Sequence, residues 1–216
     1  MWDTPLCPVE TGSRPGATGY HEAKEKKMAW DLDPAHTSVS FSAKHMGVAT
    51  VRGLFTRARG DVELDDPNDP TTARGTITID SASITTGNEQ RDGHLRAPDF
   101  LDVENYPEIT FTASGIEHLG DDQYRVDGDL TIRGTTKPVS LTYEHGGSAV
   151  DPYGNTKVGG SLTGTINRSD WGMAFNVPLG NGGLLVSDKI KLEIDGQLVQ
   201  TQEAAVAAGS EASSAN

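Results

Sequence analysis

The sequence is short of the features that mark many functional classes. It has one cysteine, Cys7, among 216 residues, which excludes an intrachain disulfide framework. No stretch reaches the roughly 18 apolar residues of a membrane-spanning helix. Positive charge is scarce: 18 Lys and Arg stand against 31 Asp and Glu, for a formal charge of −13. Phosphate backbones and anionic membranes are held by concentrated positive patches. The one local cluster, Lys24, Lys26 and Lys27, is interrupted by glutamate, so nucleic acid is not an expected partner. Catalytic signatures are missing too. There is no G-x-S-x-G elbow, no phosphate-cradling glycine loop and no H-E-x-x-H pair. The histidines at 21, 36, 45, 94, 118 and 145 follow no recognised metal-ligand spacing, so neither a metal nor a cofactor is expected.

What the chain does have is glycine (25 copies) and proline (11 copies), many of them between short β-rich runs, which favours a turn-rich all-β fold. Residues 1–28 mix Gly, Pro, Thr and charge without periodicity and read as a flexible leader; 201–216 read as a disordered tail. The leader shows no export signal, since Pro5, Pro8 and Pro15 break it and no apolar run of that length is present. The expected location is therefore cytoplasmic, with Met28 as an alternative start.

Between them, residues 29–200 follow a period of two, the mark of strands with one buried face. Val39, Phe41, Ala43 and His45 alternate with Ser38, Ser40, Ser42 and Lys44. After a Gly47 turn, Val51, Gly53 and Phe55 begin one long bent strand running to Leu64. Ile77 and Ile79 follow, then Ile109, Phe111 and Ala113. Tyr124, Val126, Gly128, Leu130 and Ile132 form the clearest run. Val139, Leu141 and Tyr143 come after a tight turn assigned to Gly134 and Pro138. Val158, Gly160, Leu162, Gly164 and Ile166 come next, and Ile190, Leu192, Ile194, Gly196 and Leu198 close the series.

That makes eight strands, compatible with a barrel or a sandwich. Glycines on the apolar face (Gly53, Gly128, Gly160, Gly164, Gly196) suit bending in a closing barrel or room left inside it, while ordinary bulges explain them equally well. One segment breaks the pattern. Asn88–Ala97 has no β-branched residue, and Asn88 can cap a short helix that Gly93 and Pro98 keep short.

Six segments occur in order: WDLDPAHTSVSF (Trp30–Phe41), the G-x-F of Gly53–Phe55, RDGHL (Arg91–Leu95), PDFLDVENYPEITF (Pro98–Phe111), VDGDLTIRGTTKPV (Val126–Val139) and INRSDWGM (Ile166–Met173). Together they closely resemble the YceI-like family of bacterial lipid-binding proteins, over about residues 29 to 199. The resemblance implies an eight-stranded antiparallel lipocalin-like barrel with the short helix near one end. It also implies a hydrophobic tunnel for a polyisoprenoid, an isoprenoid quinone or another long-chain amphiphile, and a homodimer.

Such a tunnel would be lined by the inward set. The large members are Phe41, Phe55, Phe111 and Tyr143, alternating with the small Ala43, Gly53, Ala113, Gly128, Gly160 and Gly164, whose alignment would open a channel. Ile77, Ile79, Leu130, Ile132, Leu141 and Leu162 share that face, and His45 points inward near its strand end. Leu95 and Phe100 accompany the helix. Arg91, Asp92 and His94 on the helix, with Trp171 and Phe175 in the loop before the last strand, would form a gated mouth. The plainer account is that Arg91 and Asp92 pin the helix. His36 beside Asp33 reads as a turn hydrogen-bonder, Asn167, Arg168 and Asp170 as fixing a turn, and Trp30 as a plug at one barrel end. The rival functions are a filled-barrel interaction module and, less strongly, an enzyme using His45, Asp92 and His94, with Tyr143.

Overall fold

The computed structural model describes residues 29–180 and 182–201. The leader, with Cys7 and the Lys24–Lys27 cluster, and the tail from 202 onwards lie outside the described residues. Strand β1 (Ala29–Leu32) and β2 (Ser38–His45) flank a turn at Asp33–Thr37; β3 (Ala49–Phe55) and β4 (Ala58–Glu63) are the two arms of the bent strand expected to run to Leu64. They are followed by β5 (Arg74–Asp80), the two-residue β6 (Ile84–Thr85), helix α1 (Glu89–Arg96) and β7 (Glu108–Gly120). The rest is β8 (Gln123–Ile132), β9 (Thr135–Val150), β10 (Thr156–Asn167), a 3-10 turn (Arg168–Trp171) and β11 (Val186–Gln200).

All ladders are antiparallel. Pairing runs β1-β4-β5-β7-β8-β9-β10-β11 and returns from β11 to β1, which closes an eight-stranded barrel. β11 is long enough to serve two neighbours on one side. Its end pairs with β1 (Leu198 opposite Leu32), and its first two thirds pair with β2 (Ile194 opposite Val39). β2 carries β3, and β3 carries β6. No ladder links β6 to β7, so one end of the barrel wall is completed by α1 and the segment after it. Arg96 holds that join, donating from Nε to the Ala82 carbonyl (2.9 Å) and from Nη2 to the Ile84 carbonyl (2.6 Å).

Local sequence accounts for the turns. Arg133 and Gly134 both have positive φ, 50° and 67°, and join Ile132 to Thr135 as a two-residue hairpin whose left-handed positions match strand twist. Pro138 is not part of that turn. It lies inside β9 opposite Asp129, and it is tolerated there because β9 pairs with β10 only from Thr142 onwards, leaving no partner for an N–H at 138. Asn88 caps α1 by accepting from the Arg91 N–H (3.0 Å).

Two cores result. At the fully laddered end, Trp30 is 1% exposed, packs with Leu64 and Val158, and donates its indole N–H to the Leu64 carbonyl (3.0 Å). This is the plug expected of Trp30, although it sits in a strand of its own that periodicity was too short to reveal. The larger core, around Val39, Ile84, Ile109, Leu130, Ile132 and Ile166, lies in the half nearer α1.

Candidate functional site

The larger core is not filled. A cavity of ≈ 190 Å³ runs inside it, walled by aliphatic and phenylalanine side chains, with Ser40 and Arg168 as its polar members. Atoms lining such a void forgo the van der Waals contacts that a filled core would give them. Apolar walls also give water nothing to bond to. The cavity continues outward into a second space of ≈ 620 Å³, bounded by Lys44, His45, Arg91, His94 and Phe175; Phe41, Ala43, Leu95, Phe100 and Val186 border both. An apolar interior thus meets a polar vestibule at the α1 end.

Most residues singled out by parity reach one of these spaces. Phe41, Ala43, Phe55, Ile77, Ile79, Leu95, Phe100, Phe111, Leu130, Ile132, Leu141 and Leu162 line the inner cavity. His45, Arg91, His94 and Phe175 border the vestibule. The helix and the loop before β11 do meet there: the His94 ring packs edge-on to Phe100 (5.0 Å) and Phe175 (4.8 Å), and Phe100 stands 5.5 Å from Phe175.

The glycine channel is corrected by the structure. A Cβ on Gly53 would lie 2.4 Å from the Phe41 ring, and one on Gly128 would lie 2.6 Å from the Phe111 ring and 2.5 Å from the Thr112 carbonyl oxygen. Gly160 is covered in the same way by Tyr143 and Gly164 by Leu141. These glycines do not border the void; they are seats over which a larger side chain from the neighbouring strand lies down. Tyr143 lies off the cavity as well. Its hydroxyl donates to the Gly159 carbonyl (3.1 Å), and burial, helped by nearby Tyr124, pushes its pKa up to about 12. Trp171 is core, 3% exposed, with its indole N–H on the Leu130 carbonyl (3.2 Å).

Asp92 faces away from the vestibule. It is 5% exposed and accepts from the Thr85 hydroxyl (3.0 Å) and from the Thr86 N–H (2.8 Å) and hydroxyl (2.5 Å). Burial raises its pKa, but those hydrogen bonds and the Arg96 charge outweigh it and hold the carboxyl below the usual aspartate value. Arg91 grips the same residue, with Nε on the Thr86 hydroxyl (2.6 Å) and Nη2 on its carbonyl (3.0 Å). Both side chains therefore pin the helix to the segment after β6. Asp92 and Tyr143 do not join His45 and His94 in one constellation, and among the described residues no group of three His, Cys, Asp or Glu side chains could hold a metal ion.

Arg168, expected to fix a turn, does fix one: Nε donates to the Ser187 carbonyl (3.2 Å) and Nη1 to the Met173 carbonyl. It is also 4% exposed and lines the inner cavity, 5.8 Å from the Phe100 ring centre. Parity could have found it, because Leu162, Gly164, Ile166 and Arg168 continue one inward face. Val39, Ile84, Ile109, Leu101 and Met173 are further cavity residues outside the expected set.

The model of the YceI-like domain matches residues 30–198. A UPF0312 protein of Staphylococcus aureus (strain MSSA476) is 37% identical over 163 residues, covering 75% of this chain and 92% of its own. Among solved structures, the YCEI protein of Campylobacter jejuni superposes with a TM-score of 0.62 at 32% identity, over 74% of this chain and 90% of that one. BcnA of Burkholderia cenocepacia gives 0.63 at 25% identity, over 77% and 98%. A polyisoprenoid binding domain from Saccharophagus degradans gives 0.57 at 15% identity, over 81% and 100%, and shares the fold alone. Matched along nearly all of its barrel, this chain belongs to the YceI-like family.

Proposed function

We propose that the chain binds a long-chain apolar molecule inside the barrel, a polyisoprenoid, isoprenoid quinone or similar amphiphile, for carriage, storage or sequestration. The observation that carries this reading is the apolar cavity of ≈ 190 Å³ opening into a polar vestibule. Keeping such a void empty is costly, and an apolar chain would recover contacts that no side chain supplies. Each buried methylene contributes about 0.8 kcal/mol, so a few isoprene units offset the cost of immobilising the chain. The polyisoprenoid binding domain that shares this fold agrees with the reading.

The test is native mass spectrometry of protein purified from its own host, followed by organic extraction and identification of the extract. A co-purifying prenyl or long acyl species supports the proposal. A second arm fills the cavity: Leu130→Trp, on the cavity wall, is expected to fold and to lose uptake of an added prenyl quinone. A clean apo mass with no uptake by the unsubstituted chain would overturn the reading in favour of an interaction module.

A further inference from the structure

The large apolar side chains exposed among the described residues are not scattered. Leu119, Val150 and Tyr153 stand at the hairpins of the laddered end, beside Asp121, Asp122 and Asp151, and Leu54 lies on the outer side of β3. The others, Met46, Val48, Val177 and Leu184, gather at the mouth of the vestibule. Two turns carry them. The β2–β3 turn holds Met46 and Val48, and the Met46 N–H donates to the Leu185 carbonyl (2.8 Å). The loop before β11 folds back on itself, with the Leu185 N–H on the Val177 carbonyl (3.0 Å) and Pro178 bridged to Leu184. His45 and Leu185, next to these tips, line the vestibule, whereas the four apolar side chains line neither it nor the inner cavity. They therefore give an occupant of the barrel no contact.

Both tips depart from ordinary surface chemistry. In the β2–β3 turn Met46 and Gly47 have φ of 53° and 76°, and the first of these left-handed positions usually holds Asn, Asp or Gly. Here it carries a thioether chain into solvent, next to Val48 at 83% exposure. In a chain of formal charge −13, no acid occurs from Pro34 to Arg59 and no charge of either sign from Trp171 to Ser187. Acids at this end of the barrel, Glu89 and Asp99, belong to α1 and the segment after it.

Resting on the reading of the cavity as an apolar-chain site, we propose that these two tips form a docking surface for a zwitterionic lipid bilayer. Docked there, the vestibule opens against the membrane from which the occupant is drawn. Passage through water would cost a prenyl or acyl chain about 0.8 kcal/mol for every methylene exposed, so a mouth held to the bilayer removes the main barrier to loading. Apolar tips shed their own hydration cost by entering the interface, and the absence of acids on them spares the lipid phosphates a like charge. The net charge of −13 supplies no long-range attraction to anionic lipid, hence the zwitterionic surface. Two turns with four apolar side chains are a small footprint beside the roughly 800 Å² per partner of a stable protein interface, which disfavours a second copy.

The test floats the full chain with phosphatidylcholine vesicles at graded lipid concentrations, and separately titrates farnesol into the vesicle-free, delipidated protein. The unsubstituted chain is expected to float in low and high salt alike, because the attraction is apolar rather than coulombic. Met46→Asn with Val48→Ser and Leu184→Ser should cut vesicle affinity about tenfold. Farnesol binding should be unchanged in that variant, since none of the three residues lines the cavity or the vestibule; this also shows that it folds. Leu119→Ser with Tyr153→Ser, at the laddered end, should float as the unsubstituted chain does, and an equal loss there overturns the assignment to the tips. Absence of flotation, or flotation that the tip substitutions do not reduce, overturns the docking proposal while farnesol binding keeps the cavity reading standing. A dimer in sedimentation that the tip variant loses, without flotation, gives the surface to a second copy and overturns it too. Failure of farnesol to bind any form overturns the cavity reading.

Discussion

A glycine with a ring lying over it is the recurrent residue-scale device in this barrel. Phe41 covers Gly53 directly across the β2–β3 ladder, and Phe111 covers Gly128 from the β7 side. Absence of a Cβ lets the ring lie along the wall instead of across the barrel, which keeps the axis open. Gly128→Ala is therefore expected to destabilise by about 1–3 kcal/mol, because its new methyl meets the fixed Thr112 carbonyl as well as the ring. Urea unfolding would measure it, and a neutral result would show that the ring moves freely. Trp30 is the opposite case, a side chain with no room to spare. Trp30→Ala should cost about 3–5 kcal/mol and open the laddered end, which a fall in thermal midpoint would report.

At the scale of the element, α1 is the weakest part of the wall and also the part beside the vestibule. It spans eight residues, carries Gly93, and is attached through the Asn88 cap, Asp92 and Arg96 rather than through a ladder. Gly93 has no atom within 4 Å of the position a Cβ would take, so Gly93→Ala should stabilise by roughly 0.5–1 kcal/mol through the unfolded chain. On the proposed apolar-chain reading, a stiffer α1 should also slow uptake of an added prenyl quinone, as stopped-flow fluorescence would report. Asn88→Ala removes the cap and should cost about 1 kcal/mol, with amide exchange rising first in α1. If exchange rises equally in β8, the helix is not a separately yielding unit.

Across the whole molecule, several aspartates titrate below their ordinary value. Asp33 is held at about 2, first by His36 at 2.9 Å and then by Lys157 at 3.1 Å. Asp80 is lowered by Arg57, and Asp92 by the Thr86 and Thr85 hydrogen bonds that overcome its burial. A carboxyl whose folded pKa is depressed contributes stability that is fully present above its unfolded value of 3.8 and is lost as pH falls through the folded pKa. Stability should thus be level from pH 7 to about 5 and decline between about 4 and 2, as read from urea midpoints. The exposed pairs should lose part of this dependence in high salt. A midpoint that falls steadily from pH 7 would assign the loss to another group.

Much of this was legible in the sequence. Alternation over Tyr124–Ile132 set the strand and its inward face, Asn88 marked the helix start, and ordered segments such as RDGHL and INRSDWGM carried the family. Parity even predicted most of the cavity wall, because side-chain direction in a strand is a local property of period two. What local order could not settle is what each inward residue meets. Whether Gly128 faces a void or a ring depends on Phe111 in another strand, and whether Arg168 is a turn residue or a buried cation depends on how β10 and the loop before β11 close on Phe100. The barrel's asymmetry, laddered shut around Trp30 and completed by α1 at the other end, arises from long-range register: β11 outlasts β2 and turns to pair with β1. Periodicity determines faces. Volumes and buried charge exist only once distant strands have met.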